Sequence, residues 1–183
     1  MGRFLLPLLL LWMGGTWAQD RWVFQQGAFS LQLIQRTPDQ TRAFFQARGF
    51  SPTASDQIAE ACVLQAILRN EGEVPLRVDL RPWRVLQDGQ EQPIPVAQSW
   101  RSRWEALQVA LAAQIAFRWA LFPTQQRFFP GDQAWGMIPF GPAPGTVFNL
   151  LLMWKEDQIP RQGHISGIRC PADPVILENA DES

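Results

Sequence analysis

Residues 62–86 read CVLQAILRNEGEVPLRVDLRPWRVL, and the fold turns on whether this stretch is helix or sheet. Its first seven residues are nearly all apolar, a run that either prolongs a preceding helix or begins a buried strand. The residues that follow decide between the two. RNEG at 69–72 is turn chemistry, and beyond it Leu76, Val78 and Leu80 alternate with Arg77, Asp79 and Arg81, the period of two expected of a half-buried strand. The reading is a strand over 63–69 and a second strand after the turn, paired as a hairpin. DGQ at 88–90 marks the next turn, and a proline-bearing connection, QPIPVAQ, follows it.

Upstream, WVFQQGAFSLQLIQ at 22–35 is strand-like. A helix is predicted over 38–48, with Thr37 as cap, Pro38 in first position, Gln40 reaching back in a capping box and Gly49 as terminator. The device repeats over 52–61, with Ser51 as cap, Pro52 first and Asp56 near the positive end of the dipole. Ala54, Ile58, Ala61 and Cys62 share one face of that helix, which points Cys62 inward.

Downstream, a long helix is predicted near 97–118. Trp100, Trp104, Leu107 and Leu111 recur at spacings of four, three and four, although the far end, QIAFRWALF, alternates in places and also admits a strand. Beyond Pro123 the pattern is strand-like at 124–129, 146–154 and 163–170. Between the first two lies PGDQAWGMIPFGPAPG at 130–145, in which Pro139 and Pro142 lack amide donors and so suit an edge strand or a rim. These elements add up to one α+β or mainly β domain over 19–174, an antiparallel β-sandwich of immunoglobulin-like architecture with helical insertions. A mixed α+β sheet with helices on one face is the alternative. Strand pattern alone carries the comparison, and it points to no family.

The two ends of the chain have other roles. Residues 1–18, MGRFLLPLLLLWMGGTWA, combine Arg3, an apolar run of about ten residues and a small-residue end, the layout of a cleavable signal peptide that is too short for a stable membrane span. Secretion, and the periplasm in particular, is the expected destination. An even pair of cysteines in an exported chain, Cys62 and Cys170, implies a disulfide; soft-metal binding by the two thiolates is the rival reading. Residues 175–183 form an acidic tail. After Ala18, fifteen Lys and Arg (the total of sixteen less Arg3) face seventeen Asp and Glu, with no basic block, so nucleic acid is not an expected partner.

The sequence carries none of the motifs HExxH, GxSxG, GxGxxG or CxxC, nor a phosphate-binding or EF-hand loop. His164 is the sole histidine, and its neighbour Ser166 sits on no elbow or helix start that would activate it. Asp79, Asp132, Glu156 and Asp157 could supply two carboxylates for a hydrolase, but nothing selects a pair. His164, Met137 and Met153 form a ligand set that copper accepts, the one cofactor the sequence suggests. The densest aromatic and cationic cluster is Trp100-Arg101-Ser102-Arg103-Trp104; its tryptophans either anchor the helix or, part-exposed, grip a protein, peptide or glycan with the arginines. Trp135 and Met137, two apart on one strand face, make a second such pair. The expectation is thus an exported, non-enzymatic accessory or binding protein, with copper handling second and a carboxylate-dependent hydrolase third.

Overall fold

The computed structural model describes residues 20–173, so the expectations for residues 1–18 and 175–183 lie outside the described residues. The domain is mostly antiparallel β-sheet with a few helices. Four strands, β1 (Arg21–Gln26), β2 (Phe29–Gln35), β3 (Val63–Asn70) and β8 (Gln133–Pro139), form a first sheet in that order. The second sheet contains β4 (Leu76–Asp79), β5 (Arg84–Gln87), β6 (Gln90–Pro93), β7 (Gln125–Phe128), β9 (Val147–Glu156) and β10 (Ile159–Arg169). One edge of β9 pairs with β10 along its whole length. Its other edge pairs with β4 and β5 in succession, and β7 and β6 flank those two.

Between β2 and β3 lie α1 (Pro38–Gln46) and α2 (Pro52–Ala59), and their starts are those the sequence implies. Thr37 and Gln40 form the reciprocal capping box, Ser51 accepts from the Ala54 amide, and each helix has proline in its first turn. Arg42 on α1 then ties three carboxylates together, Asp39 and Asp173 at 2.6 Å and Asp56 of α2 at 2.7 Å. Hydrogen bonding, to Asp173 above all, raises the guanidinium pKa further above its ordinary value.

Strands β3 and β4 are both present, but the hairpin expected between them is not. Strand β3 is already paired on both edges, with β2 and β8, while β4 pairs with β7 and β9 in the other sheet. The RNEG segment is a crossover held by the buried Asn70 amide. Its Nδ2 donates to the carbonyls of Val74 at 2.9 Å and Phe128 at 3.1 Å, and its Oδ1 accepts from the Gly72 amide at 3.1 Å. Gly72 packs so tightly on Ala28 that a Cβ would lie 2.5 Å from the Ala28 Cβ.

The single helix expected over 97–118 is also corrected. A 3-10 turn at Ala97–Trp100 leads into α3 (Arg101–Ala106), the chain breaks over 107–110 with Gln108 at φ 51°, and α4 (Leu111–Ala120) starts afresh. One straight helix would bury Trp100, Trp104, Leu107 and Leu111 along a single stripe. The break instead turns Ala113 and Phe117 onto the tryptophans and leaves Leu111 exposed. QIAFRWALF is accordingly helix through Ala120; Leu121 bridges to Met137, and Phe122 also lies beyond the helix.

The middle of the 130–145 loop is β8, an edge strand of the first sheet, as its prolines suggest. Its outer edge is closed by the chain leaving α4: the Phe122 amide donates to the Met137 carbonyl at 2.8 Å. This approach requires Gly136, where a Cβ would stand 2.5 Å from the Phe122 nitrogen.

Two apolar clusters result. The first fills the space between the sheets, with Phe29 stacked on Trp154 at 4.4 Å and the buried Trp83 donating its indole N–H to the Met153 carbonyl at 2.8 Å. The second lies on the far side of the first sheet, where Val63 and Met137 meet Phe45, Phe50, Trp100, Trp104 and Phe117 beneath the helices. Cys62, entering β3, is disulfide-bonded to Cys170 at the end of β10, so the bond joins the two sheets. No free cysteine remains among the described residues, which removes the thiolate-metal reading. The bond spans 108 residues of sequence. Chain entropy for a loop of that order gives a stabilisation of about 4–5 kcal/mol. Replacing both cysteines by alanine should lower the free energy of unfolding in urea by about 2–5 kcal/mol.

Candidate functional site

The outer face of the second sheet is built by strict alternation. On β4, Leu76 and Val78 point into the core, and Arg77 and Asp79 point out. On β7, Phe128 is buried and Arg127 exposed; on β9, Leu152 and Trp154 are buried while Lys155 lies outward. The register then lines up one row across the sheet: Arg127 opposite Arg77, Arg77 opposite Lys155, and Lys155 opposite Pro160 of β10. Neighbouring strands are about 4.8 Å apart, so three cations share a row roughly 10 Å long.

This row lies in a groove of about 810 Å³ whose lining also includes Pro82, Gln125, Met153 and Gln162. Among the described residues, no salt bridge engages Arg77, Arg127 or Lys155. Arg127 instead lies over the Phe129 ring at 4.7 Å. The nearby carboxylate, Asp79, is committed elsewhere. It accepts from Arg81 Nε at 2.9 and 3.1 Å and from Gln125 Nε2 at 2.9 Å. Those bonds, the Arg81 side chain first, outweigh partial burial and hold the Asp79 carboxyl below its ordinary range, so it stays ionised and paired. At the rim, Arg161 pairs with Glu156 at 3.1 Å. Among the described residues the row therefore keeps three positive charges without a salt-bridge partner. Like charges directly opposite on adjacent strands cost a few tenths to about 1 kcal/mol per pair, so this row is a poor choice for stability and a good one for an anion.

The residues singled out from sequence fall elsewhere. Trp100 and Trp104 are 0% and 3% exposed and stack on each other at 5.1 Å, so they anchor the helical layer and do not form a gripping surface. Arg101 and Arg103 are exposed, Arg103 over the outer side of Trp100 at 4.5 Å. Trp135 and Met137 do share one face of β8. The helices cover Met137, at 5% exposure, and stop short of Trp135, at 71%, so the two are not presented together. Met153 and His164 come to the same side of the β9–β10 hairpin, His164 opposite Leu151, whereas Met137 belongs to the other sheet. His164 Nδ1 lies 3.2 Å from Ser166 Oγ, both exposed.

Nor are the four carboxylates brought together as a pair. Asp79 faces out of the second sheet, and Glu156, opposite the buried Leu76, reaches inward to the Ala28 amide at 3.4 Å. Asp132 accepts from the Phe129 amide at 2.8 Å, and Asp157 occupies the β9–β10 turn at φ 44°. Arg77, Arg127 and Lys155 are not legible as a site in the sequence. Alternation places Arg77 outward, but only the pairing of three distant strands puts the other two beside it.

No known protein family, characterised protein or solved structure matches the chain.

Trp100→Ala should lower unfolding stability by about 3–5 kcal/mol in urea titration, the cost of deleting a fully buried indole. Arg77→Gln should do the opposite, raising stability by about 0.5 kcal/mol as the cation row is relieved.

Proposed function

We propose that this chain is an exported, non-enzymatic binding protein that captures an extended acidic peptide segment in the groove of the second sheet. The observation that carries the reading is the row Arg127–Arg77–Lys155, three cations set in cross-strand register and engaged by no salt bridge among the described residues. An extended peptide laid across the strands brings carboxylates to such a row, with Met153, Pro82 and Pro160 as apolar walls for its other side chains. A glycan is less well served. Sugars stack on exposed ring faces, and the indole at this groove, Trp154, is 3% exposed and turned into the core.

A disulfide, and no helix among the described residues long and apolar enough to cross a membrane, are compatible with a secreted protein. The signal-peptide layout of residues 1–18 supports export to the periplasm. We read the two facing sheets as immunoglobulin-like in architecture alone. Such a frame leaves the outer face of the second sheet free for a partner while the core and the disulfide hold that sheet in place.

The test is fluorescence anisotropy with a labelled glutamate-rich decapeptide, against glutamine-rich and lysine-rich peptides of equal length. The acidic peptide should bind, with affinity falling steeply as salt is added, and Arg77→Glu should weaken it at least about tenfold with the fold intact. Equal binding of the glutamine-rich peptide, or full affinity in Arg77→Glu, would sink the proposal.

A further inference from the structure

Among the described residues, nothing covers the exposed side of α4. Leu111, Ile115 and Trp119 recur at intervals of four and are 71%, 39% and 82% exposed. Such spacing gathers three large apolar side chains into one stripe along the helix. The stripe cannot turn inward. On the opposite side Phe117 is 1% exposed and wedged among Phe45 at 5.5 Å, Trp100 at 5.3 Å and Trp104 at 5.1 Å, which fixes the roll of the helix.

The charged side chains that line the hollow beside Leu111 and Ile115 are both arginines. Arg101 and Arg118 line the same hollow as Leu111 and Ile115, while Arg103 on α3 lies over the Trp100 ring. Glu105 is the sole acid between residues 97 and 122, against these three arginines, in a chain whose formal net charge is −1. A tryptophan, two aliphatic side chains and flanking arginines on an exposed helix match the boundary of an anionic bilayer, where rings and aliphatic groups enter below the headgroups and guanidiniums meet phosphate. A second copy of the chain fits less well. A ten-residue helix is about 15 Å long, and one stripe on it falls well short of the roughly 800 Å² per partner of a stable interface.

We propose that α4 docks this protein on the surface of an anionic phospholipid membrane through Leu111, Ile115 and Trp119, with Arg101 and Arg118 on the headgroups. The site is independent of the groove on the second sheet. Docking of this kind is peripheral, and no part of the helix crosses the bilayer.

Co-sedimentation with vesicles of phosphatidylglycerol and phosphatidylethanolamine, and separately of phosphatidylcholine, tests the proposal on the full exported chain. Binding should favour the anionic vesicles and fall at least about tenfold in the double variant Leu111→Ser with Trp119→Ser. Arg101→Gln with Arg118→Gln keeps the apolar stripe and should weaken binding to the anionic vesicles alone, by roughly fivefold per arginine. This charge variant decides the matter if the serine variant does not fold. Failure to bind anionic vesicles, or binding unchanged in both variants, overturns the proposal. So does loss of vesicle binding in Arg77→Glu with retention in the α4 variants, which would seat the lipid in the groove. A concentration-dependent dimer in sedimentation velocity that the serine variant abolishes would assign the stripe to a second copy instead.

Discussion

The side-chain amide of Asn70 holds the place where the chain leaves one sheet for the other, and much of the molecule depends on it. Buried at 2% exposure, it donates to two carbonyls, accepts one amide, and so satisfies the polar groups of a sharp crossover that would otherwise be stranded against the core. Because the chain crosses there, β4 joins β7 and β9 instead of folding back on β3. The register of those three strands in turn places Arg127, Arg77 and Lys155 in one row. The cationic groove is thus a consequence of the crossover as much as of the residues that line it.

The two cores divide the work. Between the sheets, Phe29, Trp83 and Trp154 fill a continuous apolar layer, and the Cys62–Cys170 bond closes it at one end. Beneath the helices a smaller aromatic cluster fixes α3 and α4 against the first sheet, and the kink at Gln108 lets Phe117 reach Trp100 and Trp104. With both layers packed, the outer face of the second sheet and the outer side of α4 are left to carry features that stability alone does not favour, a row of like charges and an exposed apolar stripe. Each lies on an element held by a buried neighbour, so each is presented in a fixed geometry.

Local chemistry was read well from the sequence. The caps at Thr37 and Ser51, the alternation of 76–81 and the edge character conferred by Pro139 depend on residues a few positions apart and are found as expected; Cys62 is buried as expected, but beyond the end of α2 at φ 50° and not on its helical face. Readings that required a partner fared worse. RNEG has hairpin composition, but both edges of β3 were already taken by β2 and β8. The periodicity through Trp100, Trp104 and Leu111 describes one stripe, yet two aromatic faces had to converge on the same cluster, and a single straight helix cannot bring both there. Trp100 and Arg101 resemble a recognition surface in sequence, and tertiary burial separates them: the indole is core and the guanidinium is solvent-facing.

The sequence by itself determined the β-rich class, the first two helices and their caps, and which side chains of β4 face outward; its two cysteines implied the disulfide. These follow from turn chemistry, capping and the two-residue period of a strand, all of which act within a few residues. Tertiary structure alone decided which strands are neighbours, and with that the cation row, the occupied edge of β8 and the exposed stripe of α4. Cross-strand register joins residues 77, 127 and 155 through a long-range pairing. That pairing is selected by burial of the whole apolar layer, so no local window of the sequence contains it.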